Sequence, residues 1–385
     1  MKSGDISACR RHVADMSPTF PAKPVTKALI HSIGCLYVDD TNLYELESRL
    51  RSALEIYRTA QQAITLWSSL LSASGGAIKT DKSFWCMVDY SCKNGEWSYA
   101  PFKPYPLTIS IDGEESVIAQ RSILDADKTL GVYHCPAGGH ARHLQKMRDS
   151  VFEWLGQMKN GRLPPALIWQ SYLKQLRKRL VYALGTLTNS VEAAEECLEE
   201  VDYTLLPLLN VNRHVRKGWR RLHQTFGGIG LLHLPTEQLI CRLNILQHHY
   251  ASTSTVGRKL SCSLHWLQLQ VGHDDNPLLL DYQRWSFLTC RSWWVELWQS
   301  LHKSLVTLSL RYKRQPKPRQ HDKTIMGLLM DNNIPKCVMI KMNRCRNYLQ
   351  VLFMSDICTA DGKFIERRFL NTNPTPVSSE LSFPR

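Results

Sequence analysis

No stretch of this sequence approaches the roughly 20 apolar residues that a membrane-spanning helix needs, and its mean hydropathy is −0.27. A membrane partner is therefore not expected. The opening residues, MKSGDISACRRHV, hold no apolar core of signal-peptide length, so secretion is not expected and an intracellular protein of the cytoplasm, the nucleus or both is. CxxC pairs are also missing. The 12 cysteines stand at 9, 35, 86, 92, 135, 197, 241, 262, 290, 337, 345 and 358, too scattered for a zinc ribbon or knuckle. Cys135, His140 and His143 come nearest to a ligand set and lack a fourth member. Reduced thiols are the expected state. No internal repeat occurs.

What the sequence does have is positive charge. Lys and Arg number 48 against 34 Asp and Glu, for a net +14 over 385 residues. Such an excess suits a polyanionic partner, because each neutralised phosphate releases counterions. It equally suits a basic protein with a solvated surface. An anionic membrane fits less well, since the charge is spread over several segments. The length leaves room for two or three domains.

Periodicity predicts an α+β chain. Residues 1–29, with Ser17-Pro18, Phe20-Pro21 and Lys23-Pro24, form an irregular lead-in. His31 to Tyr37 has strand character, and Thr41 to Tyr44 returns as a second strand, leaving Asp39 and Asp40 at a hairpin tip. Apolar residues recur at helical spacing from Glu45 to Ala73, until Gly75 and Gly76 stop the helix. Short strands are expected at Ala77–Val88 and Tyr99–Ser110 around a Lys93-Asn94-Gly95 turn, then a turn at Asp112-Gly113 and a strand at Lys128–Tyr133. Beyond Gly139 helices dominate: His143–Met158, Pro165 to about Gly185, Val191 onward to Pro207, and Thr236–Tyr250. Ala251–Lys259 has linker composition, the four tryptophans at 285, 293, 294 and 298 suit a core, Arg311–Lys323 is basic and exposed, and Asn371–Arg385 is disordered in character.

Tyr37-Val38-Asp39-Asp40 carries the most chemistry. Adjacent carboxylates at a strand turn repel each other and suit a strand poorly. They make sense around a hard divalent cation, which takes one or two protein carboxylates and fills its shell with phosphate and water. Two such ions can activate a 3′-hydroxyl and stabilise a leaving pyrophosphate. An ordinary Asp-Asp turn is the alternative.

The surrounding segments resemble a known family. LYVDDTNLY is similar to motif C of reverse transcriptases, and the helix after it stands where their palm helix lies. Residues 74–83, SGGAIKTDKS, resemble motif D, with Lys82-Ser83 matching its Lys-Ser pair. Thr129-Leu130-Gly131-Val132 resembles the primer-grip strand of motif E. Residues 139–215 fit the thumb, LPLLNVN at 206–212 a connector, and Gly227-Gly228-Ile229-Gly230-Leu231 the segment that follows the thumb in many non-LTR elements. The order of the motifs is more specific than any one of them.

The resemblance, to reverse transcriptases of non-LTR (LINE-like) retrotransposons, implies five regions. They are the lead-in (1–29), a partial right-hand palm (30–138), a helical thumb (139–215), a post-thumb helical region (216–310) and a basic tail (311–385). It implies RNA-directed DNA synthesis on an RNA template and DNA primer from deoxynucleoside triphosphates, with Mg²⁺ or Mn²⁺. Asp39 would be the metal ligand, Asp40 its support and Lys82 the acid that protonates the leaving pyrophosphate. Tyr37 and Gly131 would lie against nucleic acid. Two basic clusters fall where a duplex would be gripped: Lys174, Arg177, Lys178 and Arg179, then Arg213, Arg216, Lys217, Arg220 and Arg221 with His214 and Trp219 among them. Each cluster could also be a solvated helix face.

The sequence departs from the family in one important way. No residues resemble motif A, which carries another metal-binding aspartate, or motif B. Only Asp5 and Asp15 precede the hairpin as carboxylates, and Asp15 lies in no strand pattern. The expectation is a truncated or degenerate product that cannot polymerise alone. Two rival readings are a non-catalytic nucleic-acid-binding remnant and an untranslated pseudogene product. LTR-type enzymes also use Tyr-Val-Asp-Asp, but no RNase H or endonuclease pattern can be made out and the Gly-Gly-Ile-Gly-Leu segment is present.

Overall fold

Short strands and one long helix occupy the first third of the chain and helices most of the rest, in a computed structural model of mixed α+β class. It describes the backbone of 10–12, 29–31, 34–37 and 40–43, and residues 52–365 without 94–95, 112, 189–190, 311–316, 318, 350, 360, 362 and 364; side chains at 92–97, 191–197 and 199–200 also fall outside it. The chain forms two units, Met1–Asp125 with Gly272–Asp274 and Gln315–Arg385, and Ala126–Val271 with Asp275–Arg314.

In the first unit, β1 (Arg10–His12) pairs antiparallel with β2 (Leu29–His31), so part of the expected lead-in is a strand too short to show periodicity. β3 (Gly34–Tyr37) and β4 (Asp40–Leu43) form an antiparallel pair with Tyr37 opposite Asp40. The strand expected at 31–37 is thus two strands. Positions 38–39 of the expected tip, Tyr44 of the expected strand and residues 45–51 of the expected helix lie outside the described residues.

α1 (Ala53–Ala73) opens at Ser52, whose side chain accepts from the Glu55 backbone while Glu55 reaches back to Ser52 N–H. That reciprocal cap satisfies two orphan donors and is worth about 1 kcal/mol. Gly75, at φ +81°, takes the left-handed position beyond its last turn. β5 (Phe84–Trp85), the β6 (Tyr90–Lys93) and β7 (Glu96–Tyr99) hairpin, β8 (Leu107–Ile111) and β9 (Glu114–Gln120) come next. The paired strands here are 90–93 and 96–99, not the longer strands expected on either side, with Lys93 opposite Glu96 in the backbone register. β9 was not expected from its Glu-rich start, and pairs with both β8 and β5. Tyr57, Ala60 and Ile64 of α1 pack on Leu107, Ile109 and Ile118, and Gln61 fixes the register by bonding both backbone groups of Thr108.

The second unit begins with β10 (Asp127–Thr129) and β11 (Val132–His134). The single strand expected at 128–133 is a hairpin, because Leu130 (φ +48°) and Gly131 (φ +84°) both turn left-handed. Two positive φ values are what a two-residue hairpin turn requires. α2 (Ala141–Asn160) buries Met147, Val151, Trp154 and Met158, one helical face, and stops at Gly161. α3 (Pro165–Ser171), a π-helical turn (Tyr172–Leu176) and α4 (Arg177–Val181) run on without a break. α5 (Val191–Leu208) closes this bundle and tolerates Pro207 in its last turn. Tyr172, Leu176, Leu180, Leu187 and Leu205 are at most 1% exposed at its centre.

α6 (Lys217–Arg221) leads by a glycine loop to α7 (Leu234–His249). α8 (Thr255–Val271) starts inside the segment expected as a linker. Gly257 explains the tight corner: a Cβ there would stand 2.3 Å from the carbonyl oxygens of His249 and Ser252. α9 (Tyr282–Trp285) and α10 (Trp293–Lys303) complete the unit. Trp285, Trp294 and Trp298 are buried as expected. Fully buried Arg242 ties α7 to the bundle by donating to Leu187 O at 2.8 Å. The unit boundary, at 125/126, precedes the expected 138/139, and the segment expected as a thumb, 139–215, shares its unit with the helices α6 to α10.

The first unit resumes with α11 (Ile325–Asp331) and α12 (Lys336–Leu349), where buried Arg346 holds Asn343 and the Val351 carbonyl. No helix among the described residues is long and apolar enough to cross a membrane.

Candidate nucleic-acid interface

The acidic hairpin is described only in its backbone. Tyr37 ends β3 and Asp40 begins β4, opposite each other in the register. Asp39 itself lies outside the described residues. Lys82 is exposed, in a turn that its N–H makes with the Lys79 carbonyl at 3.1 Å. Among the described residues no group of three His, Cys, Asp or Glu is arranged to hold a metal.

The β10–β11 hairpin is seated on the helices of its unit. Tyr182 Oη donates to the Leu130 carbonyl at 2.9 Å, and its ring edge lies 3.5 Å from where a Cβ on Gly131 would stand. Val132 enters the bundle core, and the Tyr133 N–H donates to His143 Nδ1 at 3.3 Å. The Leu130-Gly131 turn is therefore held at a fixed place on the helical bundle. His134, His140 and His143 gather beside it, and burial pushes each imidazole below its ordinary pKa. His140 Nδ1 and His143 Nε2 are buried without a hydrogen-bond partner. Neutral imidazoles are the form such a site favours.

Inward-facing Tyr172, Leu176 and Leu180 settle the direction of the first basic cluster. Lys174 and Lys178 fall between them and are exposed, as is Arg179. None of the three meets a carboxylate among the described residues. Arg177 differs, being paired with Glu237 at 2.7 Å.

The second cluster divides more sharply. Arg213, Arg216 and Lys217 are exposed. Arg220 turns inward, donating to the Val215 and Arg213 carbonyls at 2.6 and 2.9 Å and lying over the Tyr203 ring. Arg221 also turns inward, to the Leu232 carbonyl and to buried Asp202 at 2.7 Å. Arg220, expected to meet nucleic acid, spends these donors on the protein, and with Arg221 it folds the loop that displays the other cations. Asp202 was not singled out from the sequence, since its partners lie 18 and 19 residues away. Phe226 was missed as well. It is 72% exposed, Trp219 52%, and the only sequence signal was an aromatic residue directly before Gly227-Gly228.

From Tyr203 to Thr236 the chain has no carboxylate. This surface can bind a polyanion by charge and a flat apolar group by its exposed rings. No family model matches the chain, and neither a curated protein nor a solved structure matches it.

Proposed function

We propose that the chain is the palm-to-thumb and post-thumb portion of a non-LTR-type reverse transcriptase and that its work is to hold an RNA template paired with a DNA primer. One observation carries the reading. A tight hairpin, turned at Leu130-Gly131 and pinned by Tyr182, sits on a helical bundle whose outer face bears Lys174, Lys178 and Arg179. The resemblance puts a primer grip and a thumb at those residues, in that order. Cations on a rigid helix position a phosphate backbone without reading its sequence.

In the catalytic part of the proposal, Asp39 with Asp40 binds Mg²⁺ or Mn²⁺ and Lys82 serves as the acid for the leaving pyrophosphate. The Tyr37–Asp40 register supports this part, because it puts Asp40 at the end of an antiparallel strand pair. The metals would activate the primer 3′-hydroxyl and neutralise the triphosphate. Lacking residues like motifs A and B, the 385-residue chain is expected to bind template–primer without extending it.

Primer extension on an RNA template with deoxynucleoside triphosphates and Mg²⁺ or Mn²⁺, run beside hybrid binding, tests the proposal. Binding without incorporation is the expected result and favours the non-catalytic form. Robust incorporation abolished by Asp39→Ala would establish the full enzyme in this chain. Failure to bind the hybrid at low salt would overturn the proposal.

A further inference from the structure

The loop after the bundle leaves two large rings in water at the centre of a basic, carboxylate-free segment. Trp219 is 52% exposed and Phe226 72%, with Leu222 between them at 37%. Both belong to one loop: the Trp219 ring lies 3.8 Å from the Cβ position of Gly227, the residue after Phe226.

This loop is stiff. Ile229 N–H donates to the Trp219 carbonyl at 3.0 Å and Leu231 N–H to the Arg220 carbonyl at 2.8 Å, so residues 219–220 and 229–231 run side by side. Phe226 N–H and Gly227 N–H close the turn onto His223 O and Gln224 O. Gly228 permits the fold, since a Cβ would come within 2.0 Å of the Leu222 carbonyl oxygen. Arg220 and Arg221 lock the base of the loop to Asp202. The rings are therefore displayed at little further entropic cost to a ligand.

The same segment exposes Arg213, Arg216 and Lys217, with His214 and His223, and contains no carboxylate. A paired duplex hides its base faces, so it can use the cations but not the rings. An unpaired strand can use both, stacking its bases on the rings while its phosphates meet the cations.

We infer that Trp219 and Phe226 form a stacking platform for the unpaired bases of a single strand, flanked by Arg213, Arg216 and Lys217 as phosphate contacts. It deepens the proposed function, on which it rests, by assigning the post-thumb loop to the unpaired part of the template or primer, next to the duplex held by the bundle. Stacking is indifferent to the sugar, so RNA and DNA strands are both ligands.

The test uses the full chain and fluorescence anisotropy with labelled rU12, dT12 and a blunt RNA–DNA hybrid of the same length. Trp219→Ala and Phe226→Ala should each weaken single-strand binding by about five- to a hundredfold, the range for loss of one stacked base. Hybrid binding should stay within about twofold, and Trp219→Phe should keep most of the single-strand affinity. Arg216→Ala should weaken both ligands and reduce the salt dependence. Melting temperatures serve as the folding control, because both rings are exposed. Wild-type single-strand affinity in the alanine variants, or equal losses on single strand and hybrid, would overturn the inference while leaving the duplex grip intact. Absence of all binding by the wild-type chain would overturn both. Loss confined to rU12 or to dT12 would contradict a platform that ignores the sugar.

Discussion

Replacing Asp202 by Asn probes how the basic loop is held. The substitution keeps shape and removes one charge from a carboxylate that is 3% exposed, with Arg221 Nη2 at 2.7 Å and Arg220 Nη1 at 3.7 Å. A hydrogen bond to a charged partner contributes about 1.5–3 kcal/mol, and breaking a fully buried pair costs about 3–5 kcal/mol. Two features favour the lower figures. Both guanidiniums keep backbone acceptors, on Leu232, Val215 and Arg213, and burial pushes the Asp202 carboxyl up against the pull of Arg221, Arg220 and Lys217. A loss of about 2–3 kcal/mol results, which for a unit of roughly 150–250 residues lowers Tm by about 4–12 °C. Thermal unfolding followed by circular dichroism reads that shift. Nucleic-acid affinity supplies a second readout with an opposite electrostatic sign. Asp202→Asn makes the region more positive, so charge alone would tighten binding, whereas a loosened loop would weaken it. An unchanged Tm together with tighter binding would refute the view that Asp202 holds the loop.

Two further predictions concern the bundle. Tyr172→Phe removes the Oη that accepts from the buried Leu232 N–H at 2.8 Å, and the orphaned donor should cost about 1–3 kcal/mol in urea unfolding; an unchanged midpoint and slope would refute it. His134, His140 and His143 have depressed folded-state pKa values, caused first by burial, so the unfolded chain binds protons more readily than the folded one. Their contribution to stability is complete above the ordinary histidine value of about 6.5 and is lost as pH falls below it toward the depressed values. Tm should therefore fall between pH 7.5 and 5.5, less steeply in His140→Ala, and equal slopes in the two proteins would contradict the assignment.

Local signals in the sequence were read well where they lay within a few residues. The Tyr37–Asp40 hairpin, the stop of α1 at Gly75 and of α2 at Gly161, and the buried tryptophans all derive from adjacent residues or one helical face. Strand partners were harder, because Asn94-Gly95 announces a turn without saying how long its strands are. The π-helical turn at Tyr172–Leu176 leaves apolar spacing almost unchanged and is invisible to periodicity. In the candidate site, composition made Arg213, Arg216, Lys217, Arg220 and Arg221 look equivalent. Only the fold separates them, since the carboxylate that draws Arg220 and Arg221 inward belongs to α5. Arg177 is likewise distinguished by Glu237, 60 residues later.

Equilibrium binding of an RNA–DNA hybrid over a salt series tests the duplex grip most directly, comparing the wild-type chain with Lys174→Ala/Lys178→Ala/Arg179→Ala. The account predicts wild-type binding that weakens steeply with salt, and a slope of log affinity against log salt that falls by about one unit per phosphate contact removed. A wild-type chain that ignores the hybrid, or a triple variant with the wild-type slope, would contradict it.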